Sequence, residues 1–217
     1  MKFLRNALAV FFLIILSQHL NGESDNIFIG KFSEGKLEDW KNKELKGRTS
    51  YSLATSDGRQ AIMAKSNGTA SAFLKQVYID LDKTPYLNWS WKIDRTLNIE
   101  DETIKPGDDF AARIYVIVRI GWSPWGVNAI NYVWSSAGKE GSDWPNPFSN
   151  KARMIAVKAG DRYAGQWKQE KRNIQKDFEK AFNTKIRYID AIAIMTDTDN
   201  SQSQAVAYYG DIYFSAR

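Results

Sequence analysis

Side chains able to do chemistry gather in three acidic stretches, Gly107-Asp108-Asp109-Phe110, Thr196-Asp197-Thr198-Asp199-Asn200 and Tyr209-Gly210-Asp211. Two carboxyl groups facing each other across an open cleft can serve as acid and base on a glycosidic bond, and their separation decides the stereochemical outcome. On that reading Asp108 or Asp109 works with Asp197 or Asp199. Clustered carboxylates can instead hold Ca²⁺, which takes several oxygen ligands, and the candidates are then Asp108, Asp109, Asp197, Asp199 and Asp211. The structural alternative is that these acids cap turns and pair with Arg113, Arg119 or Arg172, and buried pairing with arginine would count against catalysis. The stretch from Asp197 is no EF-hand, because Gln202 and Tyr208 stand where that loop requires Gly and Glu.

Other chemistry is removed by what the chain lacks. There is no cysteine, and the sole histidine, His19, lies in a leader expected to be cut away. Without imidazole or thiol there is no Ser-His-Asp or Cys-His mechanism, no zinc site built on those ligands, no His-ligated haem and no blue copper. Phosphate-cradling loops of the G-x-x-x-x-G-K-[ST] type are missing, and no G-x-G-x-x-G follows a strand. Carboxylate, amide, hydroxyl, amine, guanidinium and aromatic groups remain.

Two loops combine aromatics with turn formers: Gly121-Trp122-Ser123-Pro124-Trp125-Gly126 and Trp144-Pro145-Asn146-Pro147-Phe148. Such rings are either tucked under their loops or offered as flat platforms, which suit sugar rings. A ligand surface would then combine Trp122 and Trp125 with Asn88, Lys92, Arg113, Tyr115 and Arg119 from strand faces.

The elements that must position these groups are mostly strands. Along 110–120, Ala112, Ile114, Val116, Val118 and Ile120 alternate with Arg113, Tyr115, Ile117 and Arg119, a half-buried strand. Leu87, Trp89, Trp91 and Ile93 alternate in the same way, with Pro85 placed harmlessly before them. Further strands are expected over 26–32, 51–54, 60–65, 71–79, 129–134, 153–158, 165–172, 188–196 and 205–214. That many short strands predict an antiparallel β-sandwich. One helix is expected over 174–182, opened by Asn173 as N-cap and carrying Ile174, Phe178, Ala181 and Phe182 at helical spacing, as a lid over one end.

The chain starts with Lys2 and Arg5, then an apolar run from Ala7 to Leu16. That run is short of the roughly 20 residues needed to span a bilayer and has the form of a signal peptide over 1–22, cleaved near Gly22 or Ser24. The remaining 23–217 fits one domain, periplasmic or secreted, with no further apolar segment of spanning length. The formal charge of +5 is scattered instead of gathered in a stripe, which argues against nucleic acid as a partner.

The segments Gly107-Asp108-Asp109-Phe110-Ala111-Ala112-Arg113-Ile114-Tyr115-Val116, Asn131-Tyr132-Val133-Trp134, Pro145-Asn146-Pro147, Arg172-Asn173-Ile174, Met195-Thr196-Asp197-Thr198-Asp199-Asn200 and Ala207-Tyr208-Tyr209-Gly210-Asp211-Ile212 occur in that order. Together they resemble the bacterial exported family called domain of unknown function 3047, over about Phe32 to Phe214. The family supplies no catalytic residues. Trp40, the Trp89/Trp91 strand and the closing Gly-Asp-Ile also resemble galactose-binding-like jelly rolls, a group with many carbohydrate-binding modules. The expectation is an all-β jelly roll that binds a polar ligand such as a glycan. The alternatives are a carboxylate-dependent glycoside-active enzyme and a structural or assembly factor of the cell envelope.

Overall fold

A computed structural model describes residues 26–120 and 126–217. The expected signal peptide and the Trp122/Trp125 loop therefore lie outside the described residues. Two β-sheets face each other. The first is ordered β11(Lys168–Asn173), β6(Tyr86–Ile93), β13(Gln204–Ser215), β4(Arg59–Asn67), β3(Ser50–Ser56), with β1(Ile27–Gly30) also on β13. The second runs β2(Lys41–Lys46), β5(Ala70–Asp80), β12(Tyr188–Met195), β7(Arg113–Arg119), β8(Val127–Ser135), β10(Ser149–Ala159), β9(Asp143–Asn146).

The alternation read from the sequence sets which residues meet between the sheets. Leu87, Trp89, Trp91 and Ile93 on β6 face Ile114, Val116 and Val118 on β7, and all are at most 3% exposed. Trp89 stacks on Tyr132 and Trp91 packs against Trp134, so the tryptophans of β6 bind the two layers together. The helix α1(Ile174–Phe182) has its expected bounds and cap, the Asn173 side chain accepting from the Lys176 N–H at 3.1 Å. It is more than a lid, because Ile174 and Phe178 are fully buried in the same core. Asp177 anchors its base by accepting from Tyr132 and Arg172.

Three details depart from expectation. The strand β2, Lys41-Asn42-Lys43-Glu44-Leu45-Lys46, has no apolar alternation because it is an edge strand, where charge deters further pairing. Trp144, Pro145 and Asn146 belong to edge strand β9, where proline loses no ladder bond that matters. The pair β8/β10 is parallel within an otherwise antiparallel sandwich, residues 136–148 making the crossover that such a pair needs. No helix among the described residues is long and apolar enough to cross a membrane.

Candidate functional site

The residues of β7 and β8 that point away from the core lie on the outer face of the seven-stranded sheet, and there the first two of the three acidic segments converge. Arg113 is the first residue of β7 and is only 3% exposed. Its guanidinium donates to the Asp197 carboxylate, lies 3.5 Å from Asp108, and stands 5.3 Å from the Phe110 and Tyr115 ring centres. Burial opposes its charge, but Asp197, Tyr115 and the neighbouring acids outweigh that and hold Arg113 protonated. Burial also raises the Asp108 carboxyl above its ordinary value, with Arg113 and Asn146 pulling the other way.

Two loops carry the acids, and each has a local reason for its path. Gly107 sits so close to the Asp101 carbonyl that a Cβ would lie 1.9 Å from the oxygen, so only glycine lets the chain turn into Asp108. Asp109 accepts from the Asn200 N–H, the Asn200 side-chain amide and the Ser201 N–H, at 2.6 to 3.2 Å, and so ties the 107–110 loop to the 197–201 loop. Asp199 lies 3.6 Å from Lys46 on the opposite wall.

The result is a cleft of about 420 Å³, a size usual for small-ligand sites. Its walls carry Leu45 and Phe148, 62% and 56% exposed, and its floor holds Arg113, Tyr115, Asn131 and Met195. Asn131 is 1% exposed, yet neither its amide nitrogen nor its oxygen has a partner. Arg113 Nε also lacks a partner, while Arg113 Nη1 and Asp108 Oδ1 answer each other only as an ion pair at 3.5 Å. Buried polar groups are otherwise almost always satisfied, so this concentration of open donors and acceptors marks a surface built for something that brings its own.

Asp108, Asp109, Asp197, Asp199, Arg113 and Tyr115 are thus drawn together as one cluster. The other expected site residues are not. Asn88 and Lys92 stand on β6 in the opposite sheet, where Asn88 donates to Ser215 and Lys92 pairs with Asp57 at 2.9 Å. They cannot share a surface with Arg113, a separation that alternation within one strand could not reveal. Arg119 is six residues further along β7, about 20 Å from Arg113. Asp211 is also on the first sheet, accepting from the Ser33 N–H and hydroxyl at 2.8 and 2.6 Å. Trp122 and Trp125 lie outside the described residues.

Asp109, Asp197 and Asp199 offer oxygens within 4.8 Å of one another, close enough to touch one cation. As placed, they are engaged by protein donors: Asp109 by loop amides, Asp197 by Arg113, Asp199 by Lys46. Sequence reasoning missed Asn131, Leu45 and Lys46, whereas Asn146 and Phe148 belong to the second aromatic loop it offered as a platform. For Asn131 the available signal was a lone asparagine on the outward side of the apolar run through Trp134.

The model of a family described as Protein of unknown function (DUF3047) matches residues 38–213. Among curated proteins, none matches by sequence. Of solved structures, the family 30 carbohydrate-binding module of a cellulosomal cellulase from Clostridium thermocellum is 12% identical, covering 88% of this chain and 98% of its own, at TM-score 0.51. The family 11 carbohydrate-binding module from the same organism, in complex with a β-1,3-1,4-mixed-linked tetrasaccharide, is 10% identical over 88% and 95%, at TM-score 0.45. The xyloglucanase domain of a type three effector from Sinorhizobium fredii, in complex with cellobiose, is 10% identical over 82% and 93%, at TM-score 0.43. At such identities the likeness is one of fold: this chain is a jelly-roll β-sandwich like those of carbohydrate-binding modules.

Proposed function

The chain belongs to the family described as Protein of unknown function (DUF3047), so membership brings no activity with it, and we propose from the site itself that the protein is a binding module for a glycan. The observation that carries this reading is Asn131, buried in the cleft floor with both ends of its amide open, in the same cleft as the unpartnered Arg113 Nε. Alternating acceptors and donors on one floor suit neighbouring hydroxyls of a sugar ring, each of which both gives and takes a hydrogen bond. Exposed Phe148 and Leu45 on the walls supply apolar contact for ring faces. Modules of the same fold bind saccharides, which supports the class of ligand without assigning the residues.

Binding without turnover is the better reading of the acids. Asp108 and Asp197 both face the buried Arg113, so neither stands free across a cleft as the partner of the other. Export to the periplasm or beyond is part of the proposal, since extracellular glycans are met there; N-terminal sequencing of the mature protein from a cell-envelope fraction tests it.

The test is a glycan array followed by titration calorimetry of the purified protein. Saturable binding of a neutral oligosaccharide, reduced about tenfold or more by Phe148→Ala, is expected for the loss of a ring platform. No binding to any array glycan, or binding that Phe148→Ala and Asn131→Leu both leave intact, overturns the proposal.

A further inference from the structure

The first sheet has a groove of its own on its outer face, about 880 Å³, twice the size of the cleft described above and separated from it by the whole core. It is made by an irregularity in β13. Tyr209 is paired with Trp91 and Ile212 with Trp89, so Gly210 and Asp211 together stand opposite Ser90 alone. Such a bulge redirects the extra side chain, and bulges gather beside binding sites. Here it turns Asp211 to Ser33, which caps both carboxylate oxygens, and leaves bare Gly210 backbone as floor.

A side chain at Gly210 would have to displace the Ser90 hydroxyl. A Cβ there would lie 2.2 Å from Ser90 Oγ and 3.6 Å from the edge of the Trp167 ring. Trp167 therefore rests its edge on the floor and raises a half-buried indole along the groove, its Nε1 without a partner. The Arg59 guanidinium lies 5.6 Å from the centre of that ring. Across the groove Lys171 is exposed, with its ammonium 4.7 Å from the Tyr86 ring centre.

Four charged residues line the groove, two of each sign, and only the anions are held in place. Lys92 is answered by Asp57, and Glu170 turns under the sheet to Lys158 and the Trp91 indole. Asp211 is held by neutral donors. Arg59 and Lys171 alone of the lining charges have no ion-pair partner and no capping hydrogen bond among the described residues, and both are exposed. The groove thus combines an aromatic wall, a flat backbone floor and two unanswered cations, one of them a guanidinium able to take a carboxylate in fork geometry.

From these features we infer that the groove is a second binding site, for an acidic saccharide whose sugar rings carry carboxylates. A uronate chain presents what Arg59 and Lys171 lack, negatively charged hydrogen-bond acceptors spaced along flat polar rings. This site is independent of the proposed glycan cleft, and the two can be tested apart.

The experiment is calorimetric titration of the purified full chain with trimers of galacturonate, guluronate, mannuronate and glucuronate, against neutral trimers as control. At least one uronate trimer is expected to bind, and to bind at least about tenfold more weakly in an Arg59→Ala/Lys171→Ala double variant, as charge-assisted bonds of this type are worth. Raising salt to about 0.5 M should weaken it further. Both positions are exposed, so an unchanged melting temperature shows the variant folded. Asn131→Leu, in the other sheet, should leave uronate binding intact. Failure of every uronate to bind, equal binding of neutral trimers, or loss that follows Asn131→Leu instead of Arg59 and Lys171, overturns the inference.

Discussion

Replacing Asn131 by leucine should make the protein more stable and less able to bind. Asn131 stands on β8 between Tyr115 of β7 and Met154 of β10, in register with both. It is 1% exposed and neither end of its amide has a partner. Leaving a buried polar group unsatisfied costs about 1–3 kcal/mol, and leucine, of similar size and apolar, escapes that cost while packing on Met154. For a domain of this size each kcal/mol moves the midpoint by about 2–4 °C, so the expected rise is about 2 °C at the least. Thermal unfolding of the two proteins, with no ligand present, reads it directly. The same variant should lose glycan binding, the trade between stability and function expected where a site holds its polar groups open. A midpoint lowered by 2 °C or more would show that the amide is satisfied in solution and that Asn131 is not held open for a ligand.

Other consequences follow from the loops that hold the site. Gly107→Ala should destabilise by at least about 1–3 kcal/mol, because its Cβ meets the Asp101 carbonyl, a backbone atom that cannot swing aside; urea unfolding measures it. Glu102 accepts from the Ser135 hydroxyl and the Ser136 N–H, yet burial raises its carboxyl above the ordinary 4.5. Its folded pKa then exceeds the unfolded one, so its contribution is fully present below the unfolded value and is lost as pH climbs through the folded value. Urea titrations at about pH 4 and about pH 7 should therefore show Glu102→Gln gaining on the native protein as pH rises, whereas a constant difference would contradict the assignment. Added Ca²⁺ should leave the melting temperature unchanged, since Asp109, Asp197 and Asp199 are engaged by protein donors; a saturable rise would show that they exchange those partners for the ion.

Much of this was legible in the residues, for reasons that can be named. Alternation at Leu87, Trp89, Trp91 and Ile93, and at Ile114, Val116 and Val118, identifies two half-buried strands because one side of each meets the core. Asn173 reports the helix start because its side chain satisfies an N–H that the helix itself cannot. The edge strands β2 and β9 were hidden because an edge is defended by charge and proline, the opposite of the interior pattern.

For the site, the acidic segments announced themselves, but their partner decided their meaning. The sequence offers Arg113, Arg119 and Arg172 alike as partners for these acids, and only the fold shows that Arg113 is the one buried between Asp108 and Asp197. Asn88 and Arg113 looked alike in the sequence, each a polar residue on an amphipathic strand, because alternation names a face without naming the sheet. Asn131 was invisible for a related reason: an asparagine in a strand has no significance until its missing partners can be counted.

The most direct test of the glycan-binding account is to follow the side-chain amide resonances of Asn131 and Asn146 by NMR while titrating the strongest neutral oligosaccharide from the array. The account predicts that both amides shift in proportion to saturation, together with Phe148 and the Asp197–Asn200 loop. Saturable binding that leaves the Asn131 and Asn146 amides unmoved, and shifts residues elsewhere, would contradict it.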